Sequence, residues 1–124
     1  MSAILNLTQH RSSPSQVEAG VVEPADKAGI KALLTFSECP LQEDLDRAAS
    51  ALAWKAKEGG FLAAMIGGFP ALMHPLHNKL EELGIRPYYA FSLRKSSEVT
   101  LFDGSIKKIS VFIHAGWANE EIEF

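Results

Sequence analysis

Two short runs of this chain are apolar at almost every position: Ala3-Ile4-Leu5-Asn6-Leu7-Thr8 and Phe61-Leu62-Ala63-Ala64-Met65-Ile66. A strand with one wet face alternates between apolar and polar residues. A run that does not alternate is covered on both faces, as in the middle of a parallel sheet. Each run also ends in a turn that opens a helix. After the first, the polar cluster Thr8-Gln9-His10-Arg11-Ser12-Ser13 leads into Ser13-Pro14-Ser15-Gln16. This supplies a capping hydroxyl, a proline at the first helical position and a glutamine three residues on. After the second, Gly67-Gly68-Phe69-Pro70 leads into a helical pattern that runs to Leu83 and stops at Gly84. Strand, turn and helix in that order commit the chain to a mixed α/β fold.

The other segments fill in this frame. Gly20 ends the first helix, and Val21-Val22-Glu23-Pro24 reads as a second short strand. Asp26 to Phe36 has helical spacing at Ile30, Leu33 and Leu34. Leu41 to Lys57 is the clearest helix, with Leu41, Leu45, Ala48, Ala49, Leu52, Ala53 and Ala56 on one stripe, closed by Gly59-Gly60. Pro75 lies inside the next helical pattern and is expected to kink it or mark its true start. From Pro87 the period becomes two: Tyr88 to Lys95, Ser97 to Phe102 and Ser105 to Ile113 read as strands, with Asp103-Gly104 as a hairpin turn. Trp117 is expected to close the edge of the core, before a short acidic tail from Asn119 to Phe124. The expected architecture is a single domain over residues 1–124. It is an α/β three-layer sandwich of Rossmann-like kind, with parallel central strands and a C-terminal antiparallel hairpin.

Composition limits what such a domain does. Twelve Lys and Arg stand against fifteen Asp and Glu, a net charge of −3, which argues against coating nucleic acid by bulk charge. Yet six of the twelve basic residues fall between Lys79 and Lys108, so a local anion pocket is compatible with the average. The single Cys39 excludes an internal disulfide framework and suits a reducing cytoplasm. No apolar run reaches the roughly 18 residues of a membrane span, and the first residues lack the basic and long apolar regions of a signal peptide. The expectation is a cytoplasmic protein with no membrane partner.

In open α/β sheets, ligands sit beyond the carboxyl ends of the parallel strands, near the point where strand order reverses. Three stretches fall there. Thr8, Gln9 and His10 follow the first strand. Gly67 and Gly68 follow the second apolar run, where backbone amides and a helix start suit a phosphate. Ser92, Arg94 and Ser96 alternate along the third, with Arg94 able to clamp a phosphate in bidentate fashion. Each has a plainer alternative: a tight turn for the glycines, a helix cap for Gln9 and His10, a solvent face for Ser92 to Ser96. The face taken by Lys107, Lys108 and His114 depends on hairpin register. His74 and His77 are three apart on one helix, but no Cys or HExxH accompanies them, and they read as a surface pair rather than a metal site. Neither a P-loop, a GxGxxG fingerprint nor a GxSxG elbow is present, and no cofactor is implied.

The start Asn6-Leu7-Thr8-Gln9-His10, followed by the helix opening Ser13-Pro14-Ser15-Gln16, is similar to small stand-alone CRISPR-ancillary proteins related to the CARF superfamily. The same Leu5-to-His10 start, the Met65-Ile66-Gly67-Gly68 turn and the stretch Tyr89-Ala90-Phe91-Ser92 with Arg94, Ser96 and Glu98 also resemble a set of uncharacterised bacterial and phage proteins. The first resemblance implies a Rossmann-like homodimer that binds cyclic oligoadenylate and in some members cleaves it without a metal. His10, Gln9 and Arg94 would then act on the phosphate, with Thr8, Gly67, Gly68, Ser92 and Ser96 as ligand contacts. The segment Ser13-Pro14-Ser15-Gln16 departs from that pattern in lacking an acidic residue before Gln16. Three functions follow as expectations: a ring-nuclease-like phosphodiesterase, a non-catalytic sensor or sponge for a small nucleotide, and a protein-interaction module of a mobile element.

Overall fold

The two apolar runs lie side by side. In the computed structural model, which describes residues 3–117, β1 (Ile4–Asn6) and β3 (Ala63–Ile66) pair in parallel, with Ile4 opposite Ala63 and Asn6 opposite Met65. β2 (Val21–Val22) flanks β1, and β4 (Arg86–Thr100) flanks β3, both in parallel. β5 (Ile106–Trp117) pairs with β4 in antiparallel fashion, giving the order β2-β1-β3-β4-β5. The fold is mixed α/β: a five-stranded, mostly parallel sheet with helices and one antiparallel hairpin. The tail from Asn119 to Phe124 lies outside the described residues.

Both faces of the central strands are buried, as their unbroken apolar sequence requires. Leu5, Leu7, Ala64, Ile66 and Ile85 face one way and pack with Ile30 of α2 (Lys27–Leu34), with the stripe Leu45, Ala48, Ala49, Leu52, Ala53 and Ala56 of α3 (Gln42–Glu58), and with Leu72, Leu76 and Leu80 of α4 (Pro70–Glu82). Ile4, Val21, Ala63 and Met65 face the other way in a smaller cluster joined by Tyr88 and Trp117, whose ring centroids are 5.3 Å apart. Trp117 therefore takes its expected place. A fully buried leucine or isoleucine supplies on the order of 2 kcal/mol, and most of these lie on the three-helix face, where most of the burial energy therefore resides.

Local chemistry explains the helix ends. Ser13 caps α1 (Pro14–Glu18): its Oγ accepts from the Gln16 amide, and Gln16 Oε1 accepts from the Ser13 amide at 3.0 Å. In α3 the Asp44 carboxylate accepts from the Leu41 amide at 2.9 Å, with Lys55 and Lys57 in the last turn beside the negative end of the dipole. α4 runs through Pro75, which therefore does not mark its start. The proline removes a single backbone donor, and the Leu72, Leu76 and Leu80 stripe holds the helix to the sheet on both sides of it.

The hairpin departs most from expectation. The sequence reading breaks β4 between Lys95 and Ser97, whereas the structure has one strand of 15 residues. Only Arg86 to Tyr89 pair with β3. From Ala90 opposite Trp117 to Thr100 opposite Ile106, the strand pairs with β5 alone. A two-stranded ribbon about 35 Å long thus extends past the sheet. At its root a bulge between Phe91 and Ser92 sits opposite Gly116, whose φ of +131° only glycine adopts without strain. At its tip Gly104 has a φ of +84°, and Asp103 Oδ1 accepts from the Ser105 amide at 2.9 Å, so the Asp-Gly turn forms where expected.

Candidate functional site

The chain crosses the sheet in opposite directions from β1. It goes to β2 on one side, then returns through α2 and α3 to β3 on the other. The reversal leaves a crevice beyond the carboxyl ends of β1 and β3. A cavity of about 390 Å³ lies there. Its lining comes from two loops and a strand: Thr8, Gln9, His10 and Arg11 after β1, Gly67 and Gly68 after β3, and Tyr89 and Ala90 of β4 where it leaves the sheet, with Gln16 of α1 at the side. Met65 and Ile66 complete the wall.

The loop after β1 is held from beneath by Asn6, the one polar residue in its apolar strand and fully buried. Its Nδ2 lies 2.8 Å from His10 O, 3.1 Å from Ser12 Oγ and 2.9 Å from Glu23 Oε2. Its Oδ1 accepts from the Thr8 amide at 2.9 Å and from Thr8 Oγ1 at 2.6 Å. Glu23 Oε1 accepts from the Ser12 amide at 2.9 Å. Lys27 Nζ donates to Thr8 O at 2.7 Å and to His10 O at 2.9 Å, with Glu23 Oε2 3.6 Å away. Burial pushes the Lys27 ammonium below the usual lysine range; Glu23 opposes this, and Arg11 and Lys31 add to it.

This arrangement orients the loop's amides. The peptide bonds are trans, so each N–H points opposite to the carbonyl of its own peptide unit. With Thr8 O and His10 O turned onto Lys27, the amides of Gln9 and Arg11 point away from it. Gln9 and Arg11 both line the cavity, and Lys27 does not. Across the cavity, Gly68 has a φ of +138°, open space where a Cβ would stand, and α4 starting behind it. Gly67 is conformationally ordinary, and a Cβ there would meet Thr8 Cγ2 at 3.7 Å. The lining residues include Arg11 and His10 and no Asp or Glu. Chemically the cavity suits an anion with an apolar neighbour.

Five of the eight residues singled out in the sequence meet here: Thr8, Gln9, His10, Gly67 and Gly68. Ser92, Arg94 and Ser96 stand farther up β4, opposite His114, Phe112 and Ser110 of β5. Their side chains fall outside the described part of the structure. Sequence reasoning passed over Arg11, Gln16 and Tyr89 as lining residues. Arg11 was readable as the next residue of the polar cluster, but Tyr89 was hidden in an apolar context. Tyr89 Oη is 3.0 Å from His77 Nδ1, the two rings are stacked with centroids 5.8 Å apart, and His77 Nε2 meets Glu81 Oε1. His74 instead bonds Asn78, so the two histidines serve separate contacts. Among the described residues no three His, Cys, Asp or Glu side chains gather as a metal ion would require, and no helix is long and apolar enough to cross a membrane.

Fold and cavity together define an α/β protein with a ligand-sized crevice at the carboxyl edge of its sheet. The chain belongs to the Uncharacterized protein MJ1673 family, whose pattern it matches over residues 2–118. No curated protein and no solved structure matches it.

Proposed function

We propose that the cavity binds a small phosphate-bearing nucleotide of the cyclic oligoadenylate kind, and that the bound phosphodiester is cleaved there without a metal. One observation carries this: two loops at the strand-order reversal and the adjoining stretch of β4 converge on a crevice lined by Arg11 and His10 and by no Asp or Glu. In this reading the Gln9 and Arg11 amides, the Gly67-Gly68 turn and the Arg11 guanidinium hold the phosphate and take up its growing charge. His10 accepts the proton of the ribose 2′-hydroxyl as its oxygen attacks the adjacent phosphorus in line. The 5′-oxygen leaves with a proton from water, giving a 2′,3′-cyclic phosphate and a free 5′-hydroxyl. Arg94, and Ser92 and Ser96 beside it, would close the ligand from β4.

The finer fold assignment belongs to the same proposal. Helices α2, α3 and α4 form one layer, and α1, which touches β2 and β5, would begin the other, making a Rossmann-like sandwich akin to the CARF-related proteins. We propose a cytoplasmic homodimer. The absence of a carboxylate to assist His10 favours a second reading, a sensor that binds the nucleotide and leaves it intact.

The test is incubation with cyclic tetra- and hexa-adenylate and a panel of cyclic dinucleotides, with products resolved by mass spectrometry. Cleavage is expected to fall at least about 100-fold in His10→Ala. A thermal shift with intact ligand recovered selects the sensor. No shift and no turnover across the panel refutes both.

A further inference from the structure

A second cavity, of about 520 Å³, adjoins the first and shares Gln9 with it. It lies between the end of α2 and the start of α4, lined by Leu34, Thr35, Phe36, Glu38, Cys39 and Pro40 on one side and Phe69 on the other. Phe69 directly follows Gly68, so one chain step separates the two linings. The cavities are sorted by charge. The first has Arg11 and no carboxylate; the second has Glu38 and no cation. A phosphate is therefore repelled from the second and accommodated in the first. The second cavity also has a broad exposed phenylalanine surface, whereas the Tyr89 ring beside the first is stacked on His77. Phe69 is 44% exposed, and its ring leans on Phe36 at a centroid distance of 6.1 Å and an angle of 59°. A half-exposed phenylalanine ring at the mouth of a cavity is a stacking platform, and a nucleobase is the apolar, planar group that would lie on it.

We infer that the second cavity is the base subsite of the proposed nucleotide site. It takes a purine stacked on Phe69, with Gln9 and Glu38 available to its polar edge, while the phosphate attached through the ribose sits in the first cavity. This rests on the proposed nucleotide reading and adds what that reading leaves open, where the base goes.

Cys39 lines this cavity, is exposed, and is the chain's only cysteine, so the protein holds its own reporter. The test compares AMP and GMP with ribose 5-phosphate, which differs in lacking the base. Affinities are read by calorimetry, and the rate of Cys39 alkylation by a small reagent is followed in parallel. The nucleotides are expected to bind about ten-fold or more tightly than ribose 5-phosphate, and they alone should slow alkylation. In Phe69→Ala, AMP affinity should drop to that of ribose 5-phosphate. Equal binding of AMP and ribose 5-phosphate with unprotected Cys39 overturns the base subsite while leaving a phosphate site standing. Binding of none of the three overturns the subsite and the nucleotide reading together. The wild-type footprint decides the matter even where the variant folds poorly.

Discussion

Asn6 is where a single side chain does most to shape the candidate site. A carboxamide in the centre of an apolar strand costs free energy unless its donors and acceptor are used, and here they are: His10, Ser12 and Glu23 accept from it and Thr8 donates to it. Asn6→Ala removes that partner, orphans the Thr8 amide and leaves Glu23 Oε2 to Lys27 alone. The expected loss is about 2–3 kcal/mol in urea unfolding, together with weakened ligand binding, because the loop loses its anchor. A variant as stable as the wild type would refute the account. The sequence shows this residue plainly as the odd member of an apolar run. What it does not show is which groups answer it, since Glu23 comes from the far side of α1 and Lys27 from α2. Thr8, Gln9 and His10 were legible for the opposite reason: their position just past a strand fixes where they stand, whatever they bond.

Between elements, the contact of β4 with α4 makes a prediction about pH. Burial, and after it the Glu81 carboxylate, pushes the Tyr89 phenol above the usual value of 10.0. The folded chain therefore holds this proton after the unfolded chain has released it. Stability from this group is complete below pH 10 and is lost as pH rises from there through the folded value. In an ultraviolet titration of the chain's two tyrosines, one should ionise late. That late step should vanish in Tyr89→Phe and move to lower pH in Glu81→Gln. Coincident ionisation near 10.0 would exclude the effect. At this scale most boundaries were readable because caps and glycines are local signals. The exceptions were decided by contacts with other elements. The helical pattern continues across Pro75 because the leucine stripe, not the backbone ladder, decides the helix. The polar pair Ser96-Ser97 does not interrupt β4, because the backbone pairing with Ser110 and Ile109 continues through it.

Over the whole molecule, the ribbon from Ala90 to Trp117 is the least self-sufficient part. Two strands alone are marginal in water, and this pair has Val99, Leu101, Phe102 and Ile106 exposed near its tip. It also carries Arg94, Lys95, Lys107 and Lys108 against Glu98 and Asp103, while the rest of the chain has eight basic and thirteen acidic residues. A basic, apolar-tipped arm on an acidic body is complementary to a second copy of itself. Sedimentation should give a dimer that Leu101→Ser combined with Phe102→Ser converts to monomer, and that high salt weakens. A wild-type monomer at all concentrations would refute it. Neither the arm's reach nor the strand order was legible in the sequence, because pairing between distant strands depends on which partner is left over once the helices have packed.

That strand order has a consequence during synthesis. β1 lies between β2 and β3, yet Ile4 meets Ala63 across fifty-nine positions of chain. At a ribosome adding about 5–20 residues per second, the apolar N-terminal run waits roughly 3–12 seconds for the strand that completes its pairing. β4 and β5, by contrast, close locally within moments of leaving the exit tunnel. The β1 run is thus exposed throughout the synthesis of α2 and α3, and that interval is the one in which a holding chaperone matters most.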